Sequence, residues 1–273
     1  MIKRVLRKIK SLLQTDDVSR FHHYPFGREP RSDKATYLEI WEKAKKQTYP
    51  VVDQFEKETS LALDLHWFHE LALHTQVVIK ESDICYQHGR LLYTFLSHYL
   101  QKNSFGSVNV LETGTARGFS SLCMAKALED RGKEGKIVTL DPLPHHVKMY
   151  WNCIDDNEGE QSRAQLLANY SKLINRYICF LEGKSRNLLN NFELPRIHFA
   201  FLDGSHDYED VKFEISYIIP RQEKGDIIFF DDFQQSHFPG IVKAVKEFEL
   251  QGHYGVKVVS LSDQRGYAIA EKL

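Results

Sequence analysis

The chain has 273 residues, of which 42% are hydrophobic and 27% are charged, so it can bury one sizeable core and is not a disordered or fibrous protein. Its formal net charge of −1 argues against a protein that binds nucleic acid through broad electrostatics. It has no apolar run of membrane-spanning length, no signal-peptide core, and no Cys-x-x-Cys pair among its four cysteines. We therefore expect a cytoplasmic protein with reduced, mostly buried thiols.

The first predicted element is a short basic amphipathic helix at residues 1–13. Its apolar side chains share one face, and its lysines and arginines lie on the others. Such a helix can lie on an anionic membrane surface or pack against the body of the protein. We expect weak peripheral contact with the inner membrane surface, and packing against the body stays open as the alternative.

Residues 1–104 are predicted to form a helical extension. Helical spacing covers 39–46, 61–80 and 82–102. This extension depends too much on the rest of the chain to count as an independent unit, and it could cover a substrate. The second region, residues 105–273, is predicted to hold the catalytic domain.

Residues 105–273 alternate strand and helix patterns. The predicted strands lie at 108–112, 136–141, 178–181, 197–203, 226–231, 256–261 and 266–271. The helical patterns between them lie at 120–129, 163–176, 208–219 and 241–250. This alternation predicts an α/β fold: a doubly wound, mostly parallel, Rossmann-like sheet of seven strands that ends in a hairpin.

The stretch V-N-V-L-E-T-G-T-A-R-G reads as a buried strand that breaks into a glycine turn before a helix. It fails the nicotinamide fingerprint G-x-G-x-x-G, because Ala116 and Phe119 stand where glycines are needed. What remains is E-x-G-x-x-x-G, from Glu112 to Gly118. It resembles the first motif of S-adenosylmethionine (SAM) methyltransferases, in which Gly114 lets the backbone approach the methionine end of the cofactor. A glycine turn is also ordinary α/β packing.

The next predicted strand ends in Asp141. At this distance after a glycine turn, α/β nucleotide folds place the acid that accepts hydrogen bonds from ribose hydroxyls. Asp141 is therefore the ribose candidate, although a strand-end acid often only caps a turn or a helix. Pro142 and Leu143 would then pack on adenine.

Three more carboxylates end two later strands: Asp203 follows one, and Asp231 and Asp232 follow the next. Neighbouring parallel strands lie about 5 Å apart and ligands bind outside their carboxyl ends, so the three carboxylates should meet in one crevice. Their mutual repulsion favours a bound divalent cation, Mg²⁺ or another ion. The alternative is that each acid only caps the helix that follows.

His206 stands three residues after Asp203, in the loop that leaves the same strand. An imidazole suits a group that must accept a proton near neutral pH, so we predict that His206 and Asp203 are catalytic. A loop histidine can also be only solvated or capping. His145, His146 and His237 also follow strand ends and are alternative bases or substrate contacts.

Together these residues resemble the metal-dependent small-molecule O-methyltransferases, the group around catechol O-methyltransferase and the bacterial sugar and macrolide O-methyltransferases. The resemblance covers roughly residues 105–250 and implies the class I methyltransferase fold with SAM as cofactor. It implies that Glu112 and Gly114 line the methionine end of SAM and that Ser120 contacts its carboxylate. The segment G-K-S-R after the third strand is similar to the one along adenine, which implies contacts from Ser185 and Arg186.

The resemblance also implies that Asp203, Asp231 and Asp232 hold the metal. His206 falls where catechol O-methyltransferase carries its lysine base, and this departure favours the sugar-modifying branch, whose members are more similar to D-G-S-H-D-Y and F-F-D-D-F. Residues 1–104 show no family pattern, so the identity of the acceptor does not transfer.

The resulting hypothesis is metal-assisted O-methylation of a small-molecule hydroxyl, on a sugar or a saccharide-containing natural product, by a homo-oligomer. The alternatives are a cephalosporin-hydroxylase-like enzyme on the same fold and a non-catalytic SAM-binding or interaction protein. Nucleic-acid methylation is disfavoured, because D-G-S-H replaces the N/D-P-P-Y/F signature of amino methyltransferases.

Overall fold

The structure is a computed structural model that describes residues 26–262 and 265–273. The helix predicted at residues 1–13 lies outside the described residues. The helices before the sheet are α1 (Lys34–Lys45), α2 (Pro50–Thr59), α3 (Leu65–Thr75) and α4 (His88–Lys102). None of the described helices has both the length and the apolar character that crossing a membrane requires.

The rest of the chain alternates strands and helices, as predicted. The strands are β1 (Val108–Thr113), β2 (Gly135–Asp141), β3 (Ile178–Glu182), β4 (Phe199–Leu202), β5 (Ile227–Phe230), β6 (Tyr254–Ser262) and β7 (Arg265–Lys272). The helices are α5 (Phe119–Asp130), α6 (Arg163–Leu166), α7 (Ser171–Tyr177), α8 (Ser185–Leu189), α9 (Tyr208–Ile218) and α10 (Pro239–Glu249). Short 3₁₀ helices lie at Ile154–Glu158, Ala168–Tyr170 and Ile219–Arg221.

The strands form one seven-stranded sheet in the order β3-β2-β1-β4-β5-β7-β6. The first five strands are parallel, and β7 pairs antiparallel with both β5 and β6. This topology confirms the predicted doubly wound, mostly parallel sheet with a final hairpin. The strand order reverses between β1 and β4, which is where ligands bind in open α/β sheets.

The helices differ from the prediction where local caps decide their ends. Helix α1 begins earlier than predicted because the Asp33 side chain accepts a hydrogen bond from the Thr36 backbone N–H at 2.9 Å. Helix α2 was not predicted; Pro50 opens it and Ser60, with φ +57°, ends it. The single helix predicted at 163–176 is wrong, because it breaks at Leu167, whose φ of −100° and ψ of 13° lie outside the helical range.

The core lies on both faces of the sheet. One hydrophobic cluster joins helices α1 to α4 to the face that carries Phe201 and Phe229, and a second cluster lies under α9 and α10. Helix α4 approaches α5 so closely that a Cβ at Gly89 would lie 2.6 Å from the Phe119 ring. The helices before the sheet therefore share one core with it. The boundary at residue 105 stays a prediction.

Candidate active site

The glycine turn after β1 has a backbone that only glycine fits well. Gly114 has φ +90°, and a Cβ built there would lie 2.0 Å from the backbone oxygen of Asp203. The loop after β1 therefore lies directly against the loop after β4. A side chain at position 114 would push the two loops apart.

Asp141, at the end of β2, holds this turn. Its carboxylate accepts hydrogen bonds from the backbone N–H of Ala116 at 2.7 Å and of Leu143 at 2.6 Å. Burial raises the pKa of Asp141, while the Arg163 guanidinium, 3.8 Å away, acts to lower it. The residue predicted to bind ribose thus also fixes the loop beside it.

A cavity of about 780 Å³ lies at the carboxyl ends of β1, β2, β3 and β4. That volume is within the range of about 300–1,000 Å³ that is typical of small-molecule sites. The predicted site residues that line it are Gly114, Asp141, Pro142, Leu143, Ser185, Arg186 and Asp203. Phe26, which precedes α1, also lines this cavity, and nothing in the sequence pattern singled it out.

Glu112, Gly118 and Ser120 are absent from the described lining of this cavity. Glu112 is fully buried and accepts hydrogen bonds from the hydroxyls of Ser120 and Ser121, and burial raises its pKa. Gly118 is the N-cap of α5. Cofactor contacts by these three residues stay predictions, and their visible role is to join β1 to α5.

Glu214 lines the cavity and was missed. It is 1% exposed, its Oε2 accepts a hydrogen bond from the Thr113 hydroxyl at 3.2 Å, and its Oε1 has no partner among the described residues. Burial raises its pKa to about 7. The available signal was an acid beside Val211 and Ile215 on the buried face of α9.

Asp203, His206 and Asp232 come together at the edge of this cavity. Each offers one ligand atom, and these atoms all lie within 4.8 Å of one another. His206 Nε2 lies 3.0 Å from Asp232 Oδ2, and the imidazole stacks on Phe238 with 4.2 Å between ring centroids. We call these three residues the Asp-His-Asp cluster.

Asp231 is not part of this cluster, although it was predicted as a metal ligand. Its Oδ1 accepts a hydrogen bond from the Asp232 backbone N–H at 2.7 Å, and Asp232 itself has φ +51°. Asp232 contacts His206, whereas among the described residues Asp231 makes no hydrogen bond with that histidine. Burial raises the pKa of Asp231 to about 6.

Arg265, the first residue of β7, was also missed. Its guanidinium donates to Asp232 and lies 3.7 Å from Asp231 Oδ1. Burial raises the pKa of Asp203, and the charges of Asp231 and Asp232 add to this effect. Burial also acts to raise the pKa of Asp232, but the hydrogen bond from His206 and the charge of Arg265 outweigh it and lower that pKa.

The cluster is chemically suited to a divalent cation. It offers two carboxylate oxygens and one imidazole nitrogen, which bind ions such as Mn²⁺ as well as Mg²⁺. Arg265 already supplies one positive charge at Asp232, so a cation would share this carboxylate with it. Metal binding at Asp203, Asp231 and Asp232 stays a prediction.

The alternative histidines lie outside the cluster. His145 stacks on Phe180 with 4.1 Å between ring centroids, and burial lowers its pKa to about 4. His146 packs against His145. His237 Nδ1 lies 2.8 Å from the Ser236 hydroxyl.

Residues 111–233 match a family model that is described as a methyltransferase domain. The match runs from β1 to the residue after Asp232, so it contains the glycine turn, Asp141 and the whole Asp-His-Asp cluster. The chain carries a methyltransferase domain. No curated protein sequence matches the chain.

The chain as a whole is similar in fold to several solved O-methyltransferases. TomG from Streptomyces achromogenes, involved in tomaymycin synthesis and solved with SAM, has a TM-score of 0.55 and 15% identity, covering 85% of this chain and 98% of that chain. The Bacillus cereus O-methyltransferase, solved with SAH (S-adenosylhomocysteine), has a TM-score of 0.51 and 15% identity, covering 88% and 100%. The O-methyltransferase NovP has a TM-score of 0.54 and 14% identity, covering 88% and 99%. The likeness confirms the predicted class I methyltransferase fold.

Proposed function

We propose that the methyltransferase domain is a SAM-dependent O-methyltransferase that methylates a hydroxyl of a sugar or another saccharide-containing natural product. The observation that carries this proposal is that the cavity beside the glycine turn ends at the Asp-His-Asp cluster. The SAM in TomG and the SAH in the Bacillus cereus enzyme support the same cofactor for this chain.

The cavity residues suit SAM, which supplies a methyl group on a sulfonium when it is bound. Gly114 presents no side chain where the turn lines the cavity. Each oxygen of Asp141 has two lone pairs, so the carboxylate can accept from ribose hydroxyls while it keeps the N–H groups of Ala116 and Leu143. Ser185 and Arg186 lie at the far side of the same cavity, on α8.

His206 is suited to remove the hydroxyl proton. When Nε2 carries a proton and donates it to Asp232, Nδ1 keeps a lone pair. Among the described residues, Nδ1 has no hydrogen-bond partner. The Asp232 carboxylate stabilises the imidazolium that forms after proton transfer, as an acid beside a histidine base does in other enzymes.

Asp203 and Asp232 would hold the divalent cation, Mg²⁺ or another ion, and the cation would lower the pKa of the acceptor hydroxyl. With His206 as the base, these two carboxylates of the Asp-His-Asp cluster would be the ligands. Arg265 limits the repulsion between the acids and keeps Asp232 in place.

The test measures SAH release from SAM with a panel of saccharides, together with SAH affinity by calorimetry and Mn²⁺ binding by electron paramagnetic resonance. We expect EDTA to remove activity and leave SAH affinity unchanged. His206→Ala should lower kcat by about 10²–10⁴ without weakening Mn²⁺ binding, whereas Asp232→Asn should weaken it. The control is His253→Ala, which removes an exposed imidazole that belongs to neither the first cavity nor the Asp-His-Asp cluster.

Two results would contradict the proposal. If folded wild-type protein binds no SAH, the protein is not a SAM-dependent methyltransferase. If His206→Ala weakens Mn²⁺ binding as much as Asp232→Asn does, His206 is a metal ligand and not the base.

A further inference from the structure

A second cavity, of about 880 Å³, reaches the Asp-His-Asp cluster through Asp232. Its walls come from the end of α1, from the segment between α3 and α4, and from the residues that flank the β6–β7 hairpin. The first cavity reaches the same cluster through Asp203. A cofactor in the first cavity and an acceptor in the second would therefore meet at one group of residues.

The ionisable side chains of this second cavity are mainly basic. Lys46, Lys80 and Arg265 line it, against the acids Asp83 and Asp232. Arg265 is paired with Asp232, and Asp83 lies 3.9 Å from Lys43, with both of those side chains exposed. The two remaining cations are Lys46 and Lys80.

Lys80 has no ion pair and no side-chain hydrogen bond with any described residue. Burial of its amine and the nearby charge of Arg265 lower its pKa, although Asp231 and Asp232 act in the opposite direction. Although the residue as a whole is exposed, the Lys80 ammonium would attract an anion that binds in this cavity, and the anion would offset the repulsion by Arg265.

The backbone at this position is held in place. The Asn152 side chain accepts a hydrogen bond from the Ile79 N–H at 3.0 Å and donates one to the Ile79 carbonyl at 3.0 Å. Asn152 is itself buried, and it also accepts from the Tyr37 hydroxyl at 3.2 Å. Lys80 is therefore presented to the cavity by a fixed segment and not by a free loop.

From this geometry we propose that the methyl acceptor carries an anionic oxygen group, a phosphate or a carboxylate, and that Lys80 and Lys46 bind it in the second cavity. This inference rests on the proposed function, because it names a class of substrate for the same site. Binding of the anionic group would hold the acceptor in the second cavity at a point away from the hydroxyl that receives the methyl group. A lysine pair suits it, since ammonium groups bind oxyanions as point charges and do not demand one geometry.

The test is calorimetry on the wild-type complex with SAH. The probes are inorganic phosphate, glucose 1-phosphate, glucuronate and glucose, at constant ionic strength. We expect glucose 1-phosphate or glucuronate to bind at least about tenfold more tightly than glucose. Whichever of these two charged sugars binds more tightly shows whether the cavity prefers a phosphate or a carboxylate. Inorganic phosphate should compete with the charged sugar that binds.

Substitutions of single lysines show where the charged sugar binds. Lys80→Met should weaken the charged sugar about tenfold or more and leave glucose and SAH unchanged, while Lys80→Arg should keep most of the affinity. Lys57→Met, at an exposed lysine on α2 outside the cavity, should change nothing.

Loss of SAH binding by the wild-type protein would remove the proposed function itself. With SAH bound, the inference is overturned if no anionic probe binds, if glucose binds as tightly as the charged sugars, or if Lys80→Met and wild type bind them equally.

Discussion

At the scale of single residues, the contact between Gly114 and Asp203 joins the glycine turn to the Asp-His-Asp cluster. Gly114→Ala would place a methyl group 2.0 Å from the Asp203 oxygen, at φ +90°. We expect it to weaken SAH binding at least about tenfold, measured by calorimetry, because the two loops must separate. Gly132→Ala is the control: Gly132 has φ +60°, but no atom lies within 4 Å of its added Cβ. It should cost stability of about 1 kcal/mol and leave SAH affinity unchanged.

Glu214 should make stability depend on pH in a defined window. Burial raises its pKa from 4.5 to about 7, so the folded state binds the proton more tightly than the unfolded state. The resulting stabilisation is fully present below pH 4.5 and is lost as the pH rises through about 7. Relative to Glu214→Gln, wild type should lose on the order of 3 kcal/mol of unfolding free energy across this window. Urea unfolding at several pH values measures it, and parallel curves for the two proteins would contradict the expectation.

Residue spacing predicted the part of the site that follows parallel strands in order. Asp141 ends a strand, Gly114 and Asp203 each come directly after one, and all three line the first cavity. Arg265 could not be placed in this way, because its position depends on β7 running antiparallel beside β5. An antiparallel strand begins at the edge where its parallel neighbours end, so only the strand order brings Arg265 to Asp232.

The separation of Asp231 from the cluster was not predictable either. It depends on the φ of +51° at Asp232, which non-glycine residues rarely adopt. The sequence shows two adjacent acids, but it does not indicate which of the two carboxylates contacts His206.

At the scale of elements, a buried ion pair joins α2 to α4. Arg90 donates to Glu56 at 2.9 Å and to Asp53 at 2.7 Å, and the side chains of Arg90 and Glu56 are only 9% and 8% exposed. Arg90→Ala would leave the Glu56 carboxylate buried without a cation, so we expect a loss of about 3–5 kcal/mol in urea unfolding.

The comparison for this prediction is an exposed ion pair. Arg176 lies 2.7 Å from Glu134, and both side chains are more than half exposed (53% and 67%). Arg176→Ala should cost less than about 1 kcal/mol. Equal losses for Arg90→Ala and Arg176→Ala would show that the buried pair has no special role.

The strands were predicted within two residues because each is a short apolar run between polar turns. The helices before the sheet were harder, because caps and not periodicity set their ends. In α2 the only strong signals are Pro50 at its start and Ser60 at its end. The hydrophobic spacing of this helix is brief, so the segment resembles a loop in the sequence.

At the scale of the whole molecule, the helices before the sheet and the methyltransferase domain should fold as one unit. His88 stacks on Phe201, Phe95 packs against Phe229, and the Tyr99 hydroxyl donates to the buried Asp226 at 2.6 Å. We expect residues 105–273 alone to lack a cooperative urea transition by circular dichroism. Residues 26–273 keep every contact among the described residues and should unfold cooperatively. A cooperative transition in the shorter fragment would establish residue 105 as a true domain boundary.

The positions of the tryptophans determine which part of the protein intrinsic fluorescence reports on. The chain has three tryptophans, Trp41, Trp67 and Trp151, and none of them lies in the sheet. Trp41 donates to the His69 carbonyl at 2.8 Å, and Trp151 is fully buried 6.2 Å from Phe26. Intrinsic fluorescence therefore reports on the layer that covers the sheet, whereas circular dichroism averages over the whole chain. A ligand that changes the surroundings of these tryptophans would therefore change emission without a change in secondary structure.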